Sequence, residues 1–562
     1  MTSSRKKFFP ASDRNAKQKT TSTNRKDRPV KTTKLSLLAG LLAAGAMPVL
    51  AQGLAIGLKS EATSMDPQFH QLSTNIQVHK NVFETLTMQD SVQKVGPGLA
   101  SEWEAVDDTT WRFKLREGVK FHDGSDFTAR DVIYSFCRVP KVENSPSAFT
   151  IYTAGVTDII AEDDHTVVFK TEKTNPLFPA EIWSVAIVSA DALGAEDDVT
   201  FGPQGTCAGL GDVPQAPAFN DPEIAVGTGP YKLESYTRGS ELVLSRFSDY
   251  WDGMPDWERV IMRPITSNGP RVAALLAGDV DMIESPPIQD IPRLREAEFK
   301  IVDALSNRII YLHMRHEEGA PSIEGTDGNN PLMDPKVREA ISIAINREAI
   351  ADRIMGGFAQ PAGELLPPPM LGTSGRAVDA YDPDRAKELL AEAGYPDGFT
   401  MTLGTPNDRY VNDEQVAQAV AQMLARVGIV INVDASTASQ FFSRRNALEF
   451  PIYMAGWGAA SGEMSSPLKA LVATWDQQTG MGTTNAGRYS NPEMDKVLLQ
   501  AMSTIDDAER DRLLQEAGTM VLDDYGIIPL HYEQTVWAMK PGFSYEPRVD
   551  QYTMAREVKP AD

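Results

Sequence analysis

Cysteine is nearly missing from this chain: Cys137 and Cys207 are the only two in 562 residues. That excludes a disulfide-rich scaffold and any four-thiolate metal site. The seven histidines are scattered, and the nearest pair, His313 and His316, has no acidic or thiol partner at ligand spacing, so no metal and no cofactor are expected. Bases are outnumbered, 54 Lys and Arg against 77 Asp and Glu, for a net charge of −23. Such a surface repels nucleic acid and anionic membrane. Past the amino-terminal region no run approaches 18 apolar residues, so a membrane-spanning helix is not expected. The sequence also lacks a Gly-x-Ser-x-Gly elbow, a His-Glu-x-x-His pair and a Walker loop. We therefore expect no enzyme. A secreted hydrolase remains a formal rival, which activity on peptide or ester substrates would revive.

The amino-terminal stretch differs in kind. Residues 1–34 carry 11 Lys or Arg against two Asp, and Leu35–Ala46 is an apolar core too short to span a bilayer. Pro48 breaks that core, and Val49-Leu50-Ala51 supplies small residues for a signal peptidase. The sequence thus predicts an export leader over residues 1–51, cut before Gln52, with no cysteine placed for a lipid anchor. Losing a leader with nine more bases than acids takes the charge from −23 to −32. The remaining chain of roughly 510 residues needs more than one hydrophobic core. In an oxidising compartment thiols persist poorly, which favours pairing Cys137 with Cys207; two buried free thiols are the alternative.

One stretch organises the rest. Trp111, Phe113 and Leu115 alternate with Arg112, Lys114 and Arg116, Gly118 turns the chain, and Val119 and Phe121 resume the period of two before Asp123-Gly124 turns it again. Thr128 then stands three residues before Asp131, a capping-box spacing ahead of Val132, Ile133 and Phe136. The bare reading is strand, turn, strand, helix. The run also resembles, nearly word for word, the segment W-x-F-x-L-R-x-G-V-K-F-x-D-G followed by T-A-x-D-V of the family 5 solute-binding proteins of ABC importers, which bind oligopeptides, dipeptides or nickel. Val226-Gly-Thr-Gly-Pro-Tyr-Lys232, Val272–Asp281 and the helix opening at Asp334 are similar to further segments of that family.

The resemblance implies an α/β, two-lobed periplasmic-binding-protein fold with an extra inserted subdomain, of the large cluster C type. Lobe I would comprise residues 52–86, 226–308 and 531–562, with 87–225 inserted, and lobe II residues 309–530. The hinge would lie near residues 305–310 and 525–535. It also implies a periplasmic, monomeric receptor that takes a peptide or peptide-like solute and hands it to inner-membrane permease subunits driven by ATPases. Met65, in the Met65-Asp66-Pro67 turn, and Asn75, opening a helix expected to reach Leu86, would stand beside the cleft.

The second half reads as helical units. Asp334-Pro335, Asp382-Pro383 and Asn491-Pro492 each place a cap before a first-turn proline. Between them Phe399–Leu403, a helix from Val416 to Val427 and Ile429–Val433 form a β-α-β unit. Arg409 and Tyr410 fall just past the first strand's carboxyl end, where open α/β sheets bind ligands and helix amino termini favour anions. A later strand delivers Trp457. On the residues alone, the alternatives are a surface arginine and a buried tryptophan. By the resemblance, Arg409 stands where dipeptide-binding relatives hold the ligand's carboxylate. Their G-W-x-x-D run, whose Asp pairs with the peptide's α-ammonium, is here Gly456-Trp457-Gly458-Ala459-Ala460. With Ala460 in that position, either Glu463 supplies the amine contact or the solute has no free α-amine, as in a blocked peptide or an opine-like conjugate.

Overall fold

Two long strands, Lys300–Met314 and Ile528–Met539, run antiparallel through the middle of a twelve-stranded sheet. The computed structural model describes residues 53–202, 205–319, 323–477 and 479–561. The expected leader therefore lies outside the described residues.

On one side of the central pair lie Met282–Glu284, Gly53–Leu58, Arg259–Pro264, Glu241–Arg246 and Tyr231–Thr237; Gly53–Leu58 is parallel to both its neighbours. On the other side lie Ile452–Gly458 and Phe399–Pro406, with Ile429–Ser436 parallel to the latter over eight residues. Helix Asp413–Ala425 connects those parallel strands, as the β-α-β reading expects. Hydrophobic burial divides along the same line. One core draws on residues between Leu54 and Met282 and returns at Trp537–Val558, while two others lie wholly between Ile309 and Tyr532. The first core and the latter two fall on opposite sides of the central strands, as two lobes would.

A separate six-stranded antiparallel sheet carries the organising stretch, with Thr110–Leu115 between Ala100–Asp107 and Thr166–Thr171. Its buried face is the alternating set: Phe113 and Leu115 are at most 2% exposed. Burying each such side chain contributes about 2 kcal/mol. Val119 and Phe121 are also sealed, but they form no strand; only Lys120 bridges Asp126. The reason is the turn itself: the Phe121 N–H donates to Ser125 and the Gly124 N–H returns to the Phe121 carbonyl, so the ladder is closed off after one bridge. Helix Ala129–Arg138 follows as expected, the Asp131 carboxylate accepting the Thr128 N–H at 2.9 Å. Cys137 on that helix is disulfide-bonded to Cys207 on the edge strand Thr206–Ala208.

The early helix is shorter than expected, Ser73–His79. The Asn81 amide donates to the carbonyls of Gln77 and Val78, and the Val82 carbonyl accepts from Gly229, so the helix is capped and the chain drawn elsewhere. That contact also explains the Gly-Thr-Gly-Pro motif. A Cβ on Gly227 would lie 2.0 Å from the Val82 carbonyl oxygen, so only glycine permits the approach. Asp334, Asp382 and Asn491 each accept backbone N–H groups at the starts of their helices, as their spacing predicts.

Candidate functional site

The loop after Phe399–Pro406 is shaped by one carboxylate. Asp413, at the first position of its helix, accepts the backbone N–H groups of Arg409 and Tyr410, both at 3.0 Å. With its backbone pinned, Arg409 is left with an exposed side chain that lies over the Tyr410 ring, its Cζ 5.7 Å from the ring centre. No carboxylate pairs with that guanidinium among the described residues. The Tyr410 hydroxyl donates to the Gly456 carbonyl at 3.2 Å, which ties the Arg409 loop to the strand bearing Trp457.

Trp457 is half-buried and its indole N–H donates to the Ser466 hydroxyl at 3.1 Å. It lines a cavity of about 670 Å³ together with Gly458, Ala460, Ser461, Tyr152 and Trp183. Glu172, Lys173, Asn175, Glu181 and Lys469 also line it, so the space offers aromatic surface together with charged and polar groups, and its size suits a small solute. Ala460 is exposed, and its carbonyl accepts from Gln89 at 3.1 Å and Gln93 at 3.3 Å, so the loop after Trp457 is tied to the early part of the chain.

Five expected contacts do not line the cavity: Arg409 and Tyr410, which stand on the neighbouring loop, and Glu463, Met65 and Asn75. Glu463 turns away: its Oε2 lies 3.1 Å from Arg510 Nε and its Oε1 accepts the Ser465 hydroxyl at 2.5 Å. A carboxylate already neutralised in the interior is not a free counter-charge for an amine. Met65 is fully buried in the first core. Asn75 is also sealed and spends its amide on Thr63, donating to the hydroxyl at 3.0 Å and accepting the N–H at 3.1 Å. Met65 and Asn75 shape the turn after the opening strand rather than touch solute. His313 and His316 likewise face carbonyls, those of Leu471 at 2.9 Å and Gly526 at 3.0 Å.

Two cations escaped the sequence reading. Opposite Glu533 the central strands lose register, so that Ser306, Asn307 and Arg308 face one residue. A bulge of this kind re-aims side chains. Arg308 consequently reaches the Tyr410 ring, its Cζ 5.9 Å from the centre, with Nε 3.4 Å from the Glu533 carboxylate. The other Glu533 oxygen accepts the Val411 N–H at 2.9 Å. Lys59, one residue past Gly53–Leu58, is the second. Its position at the carboxyl end of a parallel strand was a usable signal; the bulge behind Arg308 was not, because it interrupts the period of two.

The family described as bacterial extracellular solute-binding proteins, family 5, matches residues 94–479. The glutathione-binding protein GsiB of Salmonella paratyphi A is 29% identical over 505 residues, covering 88% of this chain and 91% of its own. The periplasmic binding protein DppA of Helicobacter pylori, solved with the peptide STSA, superposes with a TM-score of 0.68 at 23% identity, over 90% of this chain and 98% of its own. The murein tripeptide-binding protein MppA, in its unliganded open form, gives 0.74 at 23% identity, over 91% and 98%. These likenesses give the fold as the two-lobed, mixed α/β architecture of periplasmic binding proteins. The chain belongs to the family 5 bacterial extracellular solute-binding proteins, receptors of ABC importers rather than enzymes.

Proposed function

We propose that this receptor captures a peptide-like solute by an anionic end at Arg409, holds the body of the solute against Trp457, and delivers it in the periplasm to an ABC permease. The carrying observation is the free guanidinium of Arg409, positioned by Asp413 and lacking a carboxylate partner among the described residues. A planar fork of donors suits a carboxylate. Peptide-type cargo agrees with the relatives, whose names specify glutathione and peptides. Export would use the leader over residues 1–51. The lobes would divide as the sequence suggests, with closure about the central strands.

A second reading is favoured by a specific observation. The loop after Trp457 offers Ala460 where a carboxylate would meet an α-ammonium, and Glu463 is occupied by Arg510. An amine-blocked or opine-like anionic solute therefore fits this loop better than a free-amine peptide, because an unpaired buried ammonium costs several kcal/mol. A thermal-shift screen separates the readings. The wild type and Arg409→Ala are tested against glutathione and against peptides with free or acetylated amino termini and free or amidated carboxyl termini. Stabilisation that needs the free carboxyl and vanishes in Arg409→Ala supports the anionic anchor. Binding indifferent to both removes it.

A further inference from the structure

A second cavity, of about 640 Å³, is lined in part by the hairpin that pairs Thr87–Gln89 with Val95–Pro97. Its other walls include Lys80, just past the early helix, and Arg548 and Glu557 from the carboxyl-terminal tail. Trp183 is the one residue it shares with the Trp457 cavity. Among the described residues none between 251 and 545 lines it, so it stands apart from Arg409 and Trp457. Its volume is that of a pocket for a small metabolite.

Most of the charge at this cavity is already answered. Glu84 accepts from the hydroxyls of Thr228 at 2.9 Å and Tyr250 at 2.7 Å and from the Trp251 indole at 2.8 Å. Arg548 gives its donors to Asp550, to Glu557 and to the carbonyls of Gln89 and Asp90. Three groups are not answered. The Gln89 side chain is 7% exposed, and its Nε2 donates to the Ala460 carbonyl at 3.1 Å, which aims Oε1 the other way; that oxygen is buried with no hydrogen-bond partner. Glu557 accepts from Arg548 Nη1 at 2.7 Å through Oε1, while its Oε2 is buried and equally unpartnered. Lys80 Nζ donates to the Trp183 carbonyl at 3.1 Å and lies 4.0 Å from the centre of that indole, with no carboxylate within ion-pair distance among the described residues. An ammonium carries three donors, so Lys80 has some unspent.

The two acceptors are held as a pair. The Arg548 guanidinium touches the Gln89 backbone at 3.0 Å and the Glu557 carboxylate at 2.7 Å, so one cation fixes both beside the same space. Buried acceptors without a partner are rare in folded proteins, and two on one cavity wall call for an explanation. A ligand that brings donors supplies it.

We infer that this cavity is a second binding site, for a small zwitterion of the amino-acid class, whose ammonium donates to Glu557 Oε2 and Gln89 Oε1 and whose carboxylate meets the Lys80 ammonium. A simple cation would leave Lys80 unanswered, and a simple anion would leave the two acceptors unpaired. A zwitterion satisfies all three, and each of its charges is then taken out of water against an opposite or hydrogen-bonding group.

The test uses the oxidised, full-length exported protein as wild type, Arg409→Ala, Lys80→Met, Lys80→Arg and Glu557→Gln. Each is titrated calorimetrically with L-alanine, L-leucine, L-glutamate, L-lysine and sorbitol, and with the N-acetyl and carboxamide derivatives of whichever amino acid binds. At least one of the four amino acids should bind wild type and Arg409→Ala alike, and neither derivative should replace it. Lys80→Met and Glu557→Gln should each weaken that binding by about tenfold or more, and Lys80→Arg should retain it. Melting temperatures without ligand identify any variant that has not folded, and the two derivatives decide the matter on wild-type protein alone. Silence of all four amino acids overturns the inference. So does binding that is lost in Arg409→Ala and untouched in Lys80→Met, which places the amino acid in the Trp457 cavity. Equal binding of the acetylated and amidated forms, or of sorbitol in place of the amino acids, shows that paired charges are not what the cavity recognises.

Discussion

Glu463 Oε2 lies 3.1 Å from Arg510 Nε, with side chains 5% and 7% exposed. Arg510 spends its remaining donors on the carbonyls of Thr504 and Ile505 and on Asp507. The pair pins the loop that follows Trp457 to helix Asp507–Asp523. Replacing one member of a buried pair strands the other, which costs about 3 kcal/mol. We therefore predict that Glu463→Gln lowers the unfolding free energy by that much, read from urea denaturation, and leaves the preference between free and acetylated peptides unchanged. A changed preference at unchanged stability would return Glu463 to the binding site.

The Cys137–Cys207 bridge closes a separation of 70 residues and ties the edge of the inserted sheet to helix Ala129–Arg138. Chain entropy alone assigns a loop of that length about 4 kcal/mol. The double variant Cys137→Ser, Cys207→Ser should lose stability of that order in the inserted region, with binding at Arg409 retained. Intact mass before and after alkylation of the exported protein reports the bridge directly, and free thiols would contradict it.

Much of this fold was legible because local and tertiary demands agree. The caps Asp334, Asp382 and Asn491 and the alternation of Trp111, Phe113 and Leu115 each satisfy a local rule that the packing then uses. The readings that failed are places where a tight turn or a distant backbone overrode the pattern. Val119 and Phe121 are buried in alternation but the tight turn at Gly124 leaves room for one bridge only, and the helix after Asn75 is cut short where Asn81 caps it and Val82 is bound by Gly229. Arg409 and Trp457 do stand at strand ends, where the sequence puts them. Glu463 was misread because its partner, Arg510, lies 47 residues on, a separation no local spacing reports. Arg308 was hidden by a bulge, since three residues against one leave no period to follow.

Arginine at 409 has more to it than charge. Its planar guanidinium lies over Tyr410 and can meet a carboxylate with two parallel donors, whereas an ammonium offers one point charge on a mobile stem. Arg409→Lys should fold normally, because the side chain is exposed and its backbone is held by Asp413. We predict that it weakens binding of a carboxylated peptide about tenfold, roughly 1.4 kcal/mol, by isothermal titration. Full affinity in the lysine variant would show that charge alone suffices.

His531 gives a pH dependence whose sign can be worked out. It lies on the central strand opposite Ile310, is 1% exposed, and neither ring nitrogen has a hydrogen-bond partner. Burial alone pushes its pKa down from 6.5 to about 4. Below pH 6.5 the unfolded chain takes up a proton that the folded chain refuses until about pH 4, so the neutral ring's contribution is intact above 6.5 and lost as the pH falls through that window. The slope is about 1.4 kcal/mol per pH unit for one group. Other buried groups titrate in the same range, some with the opposite sign: burial raises the Asp131 carboxyl to about 6, so its protonation favours the fold as the pH falls. Comparing His531→Leu with the wild type at each pH cancels them. The leucine variant should gain on the wild type by about 2 kcal/mol between pH 6.5 and pH 5, read from urea midpoints. Parallel stability curves for the two proteins would mean that His531 is already hydrated, or partnered, in the folded state.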